Sequence, residues 1–397
     1  MLETAPSDDR TEPRPVYVIG AGPGGLAVAA ALGARGVRAV VVEKTAEVGS
    51  SWRRHYDRLR LHTTRRLSAL PGLRIPRRFG RWVARNDVVR YLEKYAEYHE
   101  LELITGVEVT RIDPAPGPDG GWLLHATGGR ELTASAVVVA TGYNHTPHLP
   151  EWPGATEYPG TLVHASEYRD AAPYAGQDVL VVGVGNTGAE IAVDLTEGGP
   201  GRAAGRVRLA VRTAPHIVRR STAGWPAQRT GILVRRLPVR LVDRLGALTA
   251  KLSVPDLAPY GLPRPDTGLY SRVKQGAVPV QDVGLIAAVK ARAVLPVATL
   301  ESFDGAEAVL ADGTRITPDA VIAATGYRRG LEGLVGHLGV LDERGLPRRK
   351  GARPAAEGLF FTGYTNPISG MLRELARDAE RIARVLARTR STGGPRT

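Results

Sequence analysis

Two glycine clusters carry the most specific spacing in the chain: Gly20-Ala-Gly22-Pro-Gly-Gly25 and Gly183-Val-Gly185-Asn-Thr-Gly188. Glycines spaced this way serve a tight turn, a close approach of backbone to a pyrophosphate, and close packing of the next helix on a sheet. The helix that starts there offers unpaired N–H groups and a positive dipole end to phosphates. Glu43 stands 23 positions after Gly20, where a carboxylate accepts from a ribose 2′-hydroxyl and would repel a 2′-phosphate. In the second cluster the matching region holds Arg212, 29 positions after Gly183, which favours the 2′-phosphate of NADPH, with Arg208, Arg219 and Arg220 as further cations nearby. Two such units bind two nucleotides.

These residues need elements to hold them. Val16 to Ile19 is an apolar run that stops at glycine and reads as a buried parallel strand. Leu26 to Ala34 is rich in alanine and leucine and reads as helix, and Val37 to Val42 as a β-branched strand that ends at Glu43. The second unit repeats the order with Asp178 to Val182, Ala189 to Leu195 and Val207 to Val211. A shorter repeat, Val137-Val-Val-Ala-Thr141-Gly142-Tyr143 and Val321-Ile-Ala-Ala-Thr325-Gly326-Tyr327, follows an Asp/Gly-rich hairpin region each time. The expected fold class is α/β, with two Rossmann-like dinucleotide-binding domains. The first is discontinuous, over residues 15–146 and 321–390, and the second is inserted at 147–320. Within the insert, residues 222–272 break the β/α alternation and read as a small helical lid. Leu237 to Leu252 there can form an amphipathic helix with its cations on one side; contact with an anionic membrane surface is the alternative reading. Residues 1–14 and 391–397 read as a disordered leader and tail.

Composition sets the limits. A length of 397 residues predicts two or three domains, and 43% hydrophobic with 23% charged residues suits a folded protein rather than a disordered or multi-span chain. The absence of cysteine excludes disulfides, thiolate metal sites, cysteine nucleophiles and a redox dithiol. The net charge of +13 raises the question of nucleic acid, but only 6 of the 53 basic residues are lysine, a bias that reads as codon usage, and no nucleic-acid partner is expected. Twelve arginines between Arg53 and Arg90 face only Asp57 and Asp87, a local excess suited to anionic ligands. The N-terminus lacks a signal-peptide core and no stretch is long enough for a membrane span, so a cytoplasmic enzyme, monomer or homodimer, is expected. His55, His62, His145 and His164 lie near turns without metal-ligand spacing, no metal is expected, and no Gly-x-Ser-x-Gly elbow is present.

With these motifs in place the chain resembles the flavin-containing monooxygenases, and within them the YUCCA-type branch and its bacterial relatives, from Val16 to about Ala387. Tyr158-Pro-Gly160-Thr-Leu-Val-His164-Ala-Ser-Glu-Tyr168 is similar to the family's linker signature. Tyr168-Arg169 stands where the related Baeyer–Villiger enzymes carry tryptophan followed by proline or aspartate. Three segments resemble the YUCCA branch: Trp52 with Tyr56-Asp-Arg-Leu-Arg-Leu-His62, Leu237-Pro-Val-Arg-Leu-Val-Asp-Arg244, and Pro279-Val-Gln-Asp-Val-Gly284.

The resemblance implies FAD in the first domain, held by Gly20, Gly22, Gly25, Glu43, Lys44, Trp52, His62 and the backbone of Val109, with Thr141, Gly142, Gly326, Gly363 and Asn366 beside it. It implies NADPH on Gly183, Gly185, Asn186, Thr187, Gly188 and Arg212, and a helix from Met371 whose N-terminus faces the flavin. The implied activity is NADPH- and O2-dependent monooxygenation of a small organic substrate through a flavin C4a-(hydro)peroxide. Oxidative decarboxylation of an α-keto acid such as indole-3-pyruvate leads, with N- or S-oxygenation of an amine or thioether as the alternative and an NADPH oxidase or flavin reductase as a further one. His62 either supports the oxygenated flavin, by donating to it or holding its proton, or packs beside the ring. Asn186 either reaches the nicotinamide or caps the second helix.

Overall fold

The runs Val16–Ile19, Ala39–Glu43, Ala136–Val139 and Leu359–Phe361 are buried almost throughout, the mark of parallel strands covered on both faces. They form a five-stranded parallel sheet in the order Leu359–Phe361, Ala136–Val139, Val16–Ile19, Ala39–Glu43, Glu102–Thr105. A second five-stranded parallel sheet has the order Val294–Ala298, Arg206–Val211, Asp178–Val182, Ala320–Ala323, Thr161–His164. In each sheet the strand that leads into the glycine turn is central, so both turns open at a switch point where α/β sheets take ligands.

This computed structural model describes residues 14–392 apart from 118–119, 200, 223, 235–236, 245 and 247–253. The expected leader up to residue 13, the expected tail from 393, and most of the far half of the Leu237 to Leu252 stretch lie outside the described residues. The helix Met371–Thr392 runs two residues into the stretch expected as tail. Among the described residues, no helix is long and apolar enough to cross a membrane.

One expectation changes. The return to the first unit was placed at residue 321, yet Ala320–Ala323 pairs with Asp178–Val182 and Thr161–His164 in the second sheet. The two copies of the short repeat are equivalent strands of two different sheets, each preceded by its own antiparallel three-stranded ribbon. The chain crosses back after that strand, where Tyr327–Arg328 pairs antiparallel with Thr146–Pro147.

Candidate active site

The two glycine turns are near-copies. Gly20 and Gly183 have φ of +104° and +105°, and a Cβ on either would lie 2.8 Å and 2.7 Å from the Ala140 and Ala324 carbonyl oxygens. A Cβ on Gly25 or Gly188 would collide with the carbonyl oxygen of Gly20 or Gly183, so these two positions let each helix seat against its own turn. Gly22 and Gly185, by contrast, have nothing within 4 Å of the Cβ position, the open approach a pyrophosphate requires. They are the N-caps of Pro23–Gly33 and Asn186–Glu197, and no side chain caps either helix. Asn186 is therefore the first helical residue and not the cap. Its amide instead bonds Pro279 O at 3.2 Å and accepts from the Gln281 N–H at 2.7 Å, tying the helix to the strand Val280–Asp282.

A cavity of about 1100 Å³ opens beside the first turn and runs to the second unit. Of the expected site residues, Gly20, Gly22, Glu43, Lys44, Trp52, His62, Val109, Thr141, Gly142, Asn186, Gly363 and Asn366 line it. So do Met371 and Leu372 at the start of the last helix. Gly25, Gly183, Gly185, Thr187, Gly188, Arg212 and Gly326 do not line it. Arg212 is exposed at the end of the strand Arg206–Val211. Of its neighbours, Arg208 is paired with Asp178, and Arg220 stacks on Trp82 at 4.5 Å, while Arg219 faces the cavity. Gly326 lies in the crossover, where its carbonyl oxygen is 3.0 Å from His164 Nε2.

Glu43 is buried and fixed. Its Oε1 accepts from Thr45 N at 3.1 Å, Thr45 Oγ1 at 2.9 Å and Ser50 Oγ at 3.3 Å, and its Oε2 accepts from Ala21 N at 2.8 Å. With one bond to Oε2, that oxygen keeps a lone pair for a ribose hydroxyl. Lys44 lies 3.6 Å from Glu108 and 3.4 Å from His145, whose burial and cationic neighbour hold its pKa down. Thr141 Oγ1 and the buried Tyr364 hydroxyl are 2.7 Å apart, and burial pushes that phenol well up. The Asn366 amide donates to Gly276 O at 3.3 Å. These features fit a dinucleotide laid from the Gly20 turn past Glu43 and Val109 toward the last helix.

The loop after Trp52 belongs to both units. Tyr56 is buried in the second unit's core and Leu61 in the first unit's. His55 lines the cavity, and burial, then the nearby Arg85, lowers its pKa to about 4. His62 Nε2 lies 2.9 Å from Oε1 of Glu190, a carboxylate only 3% exposed, although the pair lacks the alignment of a full hydrogen bond. Tyr56 lies in the field of Glu190, and its phenol is held far above its ordinary pKa, mainly by burial. Over the cavity, the helix Ala227–Val234 is pinned by the buried Gln228, which accepts from Thr64 N at 3.0 Å and donates to Ser369 O at 2.7 Å. Residues 239–244 are also helical. Trp225, Val234, Leu237, Val242, Leu269 and Tyr270 give this wall an apolar face.

Thr45, Ser50, Glu190, Gln228 and Tyr364 were not singled out in the sequence. Only Thr45 and Ser50 carried a signal, as hydroxyls just past the Glu43 strand.

The family model described as pyridine nucleotide-disulphide oxidoreductase matches residues 17–222. Indole-3-pyruvate monooxygenase YUCCA1 of Oryza sativa subsp. japonica is 35% identical over 376 residues, 92% of this chain and 90% of that protein. The probable indole-3-pyruvate monooxygenase YUCCA1 of Arabidopsis thaliana is 33% identical over 92% of this chain and 88% of its own length. The flavin-containing monooxygenase from Stenotrophomonas maltophilia shares the fold with a TM-score of 0.70 at 23% identity, over 95% of this chain and 100% of that one.

Proposed function

Since the chain belongs to the flavin-containing monooxygenases, with FAD and NADP(H) as their cofactors, we propose that its substrate is a small apolar α-keto acid of the indole-3-pyruvate type. The supporting observation is the cavity itself, where an apolar lid wall with Trp225 and Tyr270 shares one space with the cations Arg54 and Arg219. An aromatic body with a carboxylate suits that combination. A flavin bound there would supply the chemistry, hydride uptake from nicotinamide and activation of dioxygen. The protein's part is to place it.

In this reading Gly20 and Gly22 bring backbone against the FAD pyrophosphate, and Glu43 holds the ribose. Gly183, Gly185, Thr187 and Gly188 present the second helix start to NADPH, and Arg212 meets its 2′-phosphate. Asn186 keeps the strand beside the cavity in place. The Gln228 clasp closes the lid and keeps water out. Although the family description includes disulphides, the chain has no cysteine, so no thiol pair of its own takes part.

Oxidative decarboxylation turns one α-keto acid, O2 and NADPH with a proton into the shortened acid, CO2, NADP+ and water. The test is NADPH and O2 consumption with indole-3-pyruvate, phenylpyruvate, tertiary amines and thioethers, with CO2 measured alongside. One CO2 per NADPH with the keto acids supports the proposal. Turnover only with amines or thioethers, and no CO2, overturns it.

A further inference from the structure

Glu190 is a carboxylate buried between two units, on the helix whose start is proposed above to meet NADPH, and the chemistry above gives it no task. It sits one turn into Asn186–Glu197, 2.9 Å from the Nε2 of His62, which belongs to the loop of the other unit. His62 lines the cavity and its Nδ1 is buried without a partner. A neutral imidazole carries one N–H, and two arrangements are open to it. With the proton on Nδ1, the Nε2 lone pair would face a buried carboxylate and the N–H would have no acceptor. With the proton on Nε2, the N–H lies beside Glu190, 2.9 Å from nitrogen to oxygen though off the line of a full hydrogen bond, and only a lone pair is left without a partner. The second arrangement is favoured on both counts.

We propose that Glu190 is a positioning residue for His62: it fixes the ring's orientation and keeps its proton on Nε2. The groups around it support that task. Tyr56, His55 and Arg220 lie within the field of the same carboxylate, and Arg58 pairs with Asp194 and Glu197 further along the same helix. One helix thus offers its first N–H groups to a dinucleotide and, a turn later, its carboxylate to a ring in the cavity.

What the ring is used for rests on the monooxygenase reading, but its tautomer does not, so the two can fail separately. The first measurement is the imidazole ¹⁵N spectrum of the histidine-labelled full chain at neutral pH, with the His62 signals assigned by their loss in His62→Asn. The expected result is the Nε2–H tautomer in the wild type and averaging of the two tautomers in Glu190→Gln, since the amide can present either its oxygen or its NH2 group to the ring. Tyr56→Phe, which keeps both partners, should match the wild type. The Nδ1–H tautomer in the wild type overturns the proposal even if Glu190→Gln does not fold. So does a Glu190→Gln spectrum like the wild type's, or a Tyr56→Phe spectrum like that of Glu190→Gln. The kinetic companion is a tenfold or larger rise in peroxide released per NADPH in Glu190→Gln, with flavin content unchanged.

Discussion

At the scale of single residues, the site is set by which polar groups are engaged within the protein and which face outward. Arg212 is exposed at a strand end, whereas Arg208 and Arg220 are occupied by Asp178 and Trp82. A guanidinium left at that position suits a phosphate that arrives with the nucleotide. Arg212→Ala is therefore expected to raise the NADPH KM by roughly 10- to 100-fold, as for a lost charge-assisted bond, and to leave the NADH KM nearly unchanged. Steady-state reduction with each nucleotide checks this, and equal effects on both would remove Arg212 from the phosphate site. His55 gives a pH prediction. Its folded pKa of about 4 lies below the ordinary value of 6.5, so between those values the unfolded chain binds more protons. Its contribution is complete above about pH 6.5 and is lost as pH falls toward about 4, amounting to roughly 3 kcal/mol. His164, His145 and His216 shift in the same direction. In urea titrations across that range, His55→Gln should lose stability less steeply than the wild type; an unchanged slope would show that the ring protonates without penalty.

At the scale of elements, each glycine turn is a joint between a strand and a helix, and in the proposed reading each joint serves one nucleotide. Gly25→Ala would drive a methyl group into the Gly20 carbonyl, and Gly188→Ala would do the same at Gly183. Overpacking of this kind costs about 1–3 kcal/mol and shifts the turn. Gly25→Ala should purify largely without flavin. Gly188→Ala should keep its yellow flavin while its NADPH KM rises at least tenfold; flavin absorbance and anaerobic reduction separate the two outcomes, and loss of flavin in Gly188→Ala would contradict the division of labour. Both joints were legible in the sequence because everything they need is local: an apolar run, spaced glycines and a helix within a few residues. The return point was not, because the runs at Val137 and Val321 are near-identical and strand pairing is decided by distant contacts. Glu190 and Gln228 were illegible for a related reason. A lone polar residue in a helix reads as solvent-facing, and only the packing of one unit on the other buries it. Of the two readings open to Asn186, the helix cap falls, because Gly185 takes that position one residue earlier.

At the scale of the whole molecule, the proposed reading needs two cofactors, one on each sheet, to meet in one cavity, so the ribbon joining the sheets matters as much as either site. Arg329 holds that ribbon together. Its Nη1 donates to Tyr143 O at 2.6 Å and Tyr327 O at 2.9 Å, and its guanidinium lies over the Tyr143 ring, so it ties the strand Tyr327–Arg328 to the segment that leads into Thr146–Pro147. Lysine would keep the charge but not the planar guanidinium that stacks on the Tyr143 ring while one of its nitrogens donates to both carbonyls. Arg329→Lys should therefore lower the melting temperature by only a few degrees, as expected for a loss of about 2 kcal/mol in a chain of this size. Turnover should fall further, by tenfold or more, because small misplacements of reacting groups cost far more in rate than in stability. FAD content and the NADPH dissociation constant should stay near wild type, since neither turn is touched. Calorimetry, flavin absorbance and stopped-flow reduction measure these quantities. If hydride transfer stays at the wild-type rate while stability falls, the ribbon only holds the fold together; if the rate falls with both nucleotides still bound, the ribbon sets the alignment of the two units.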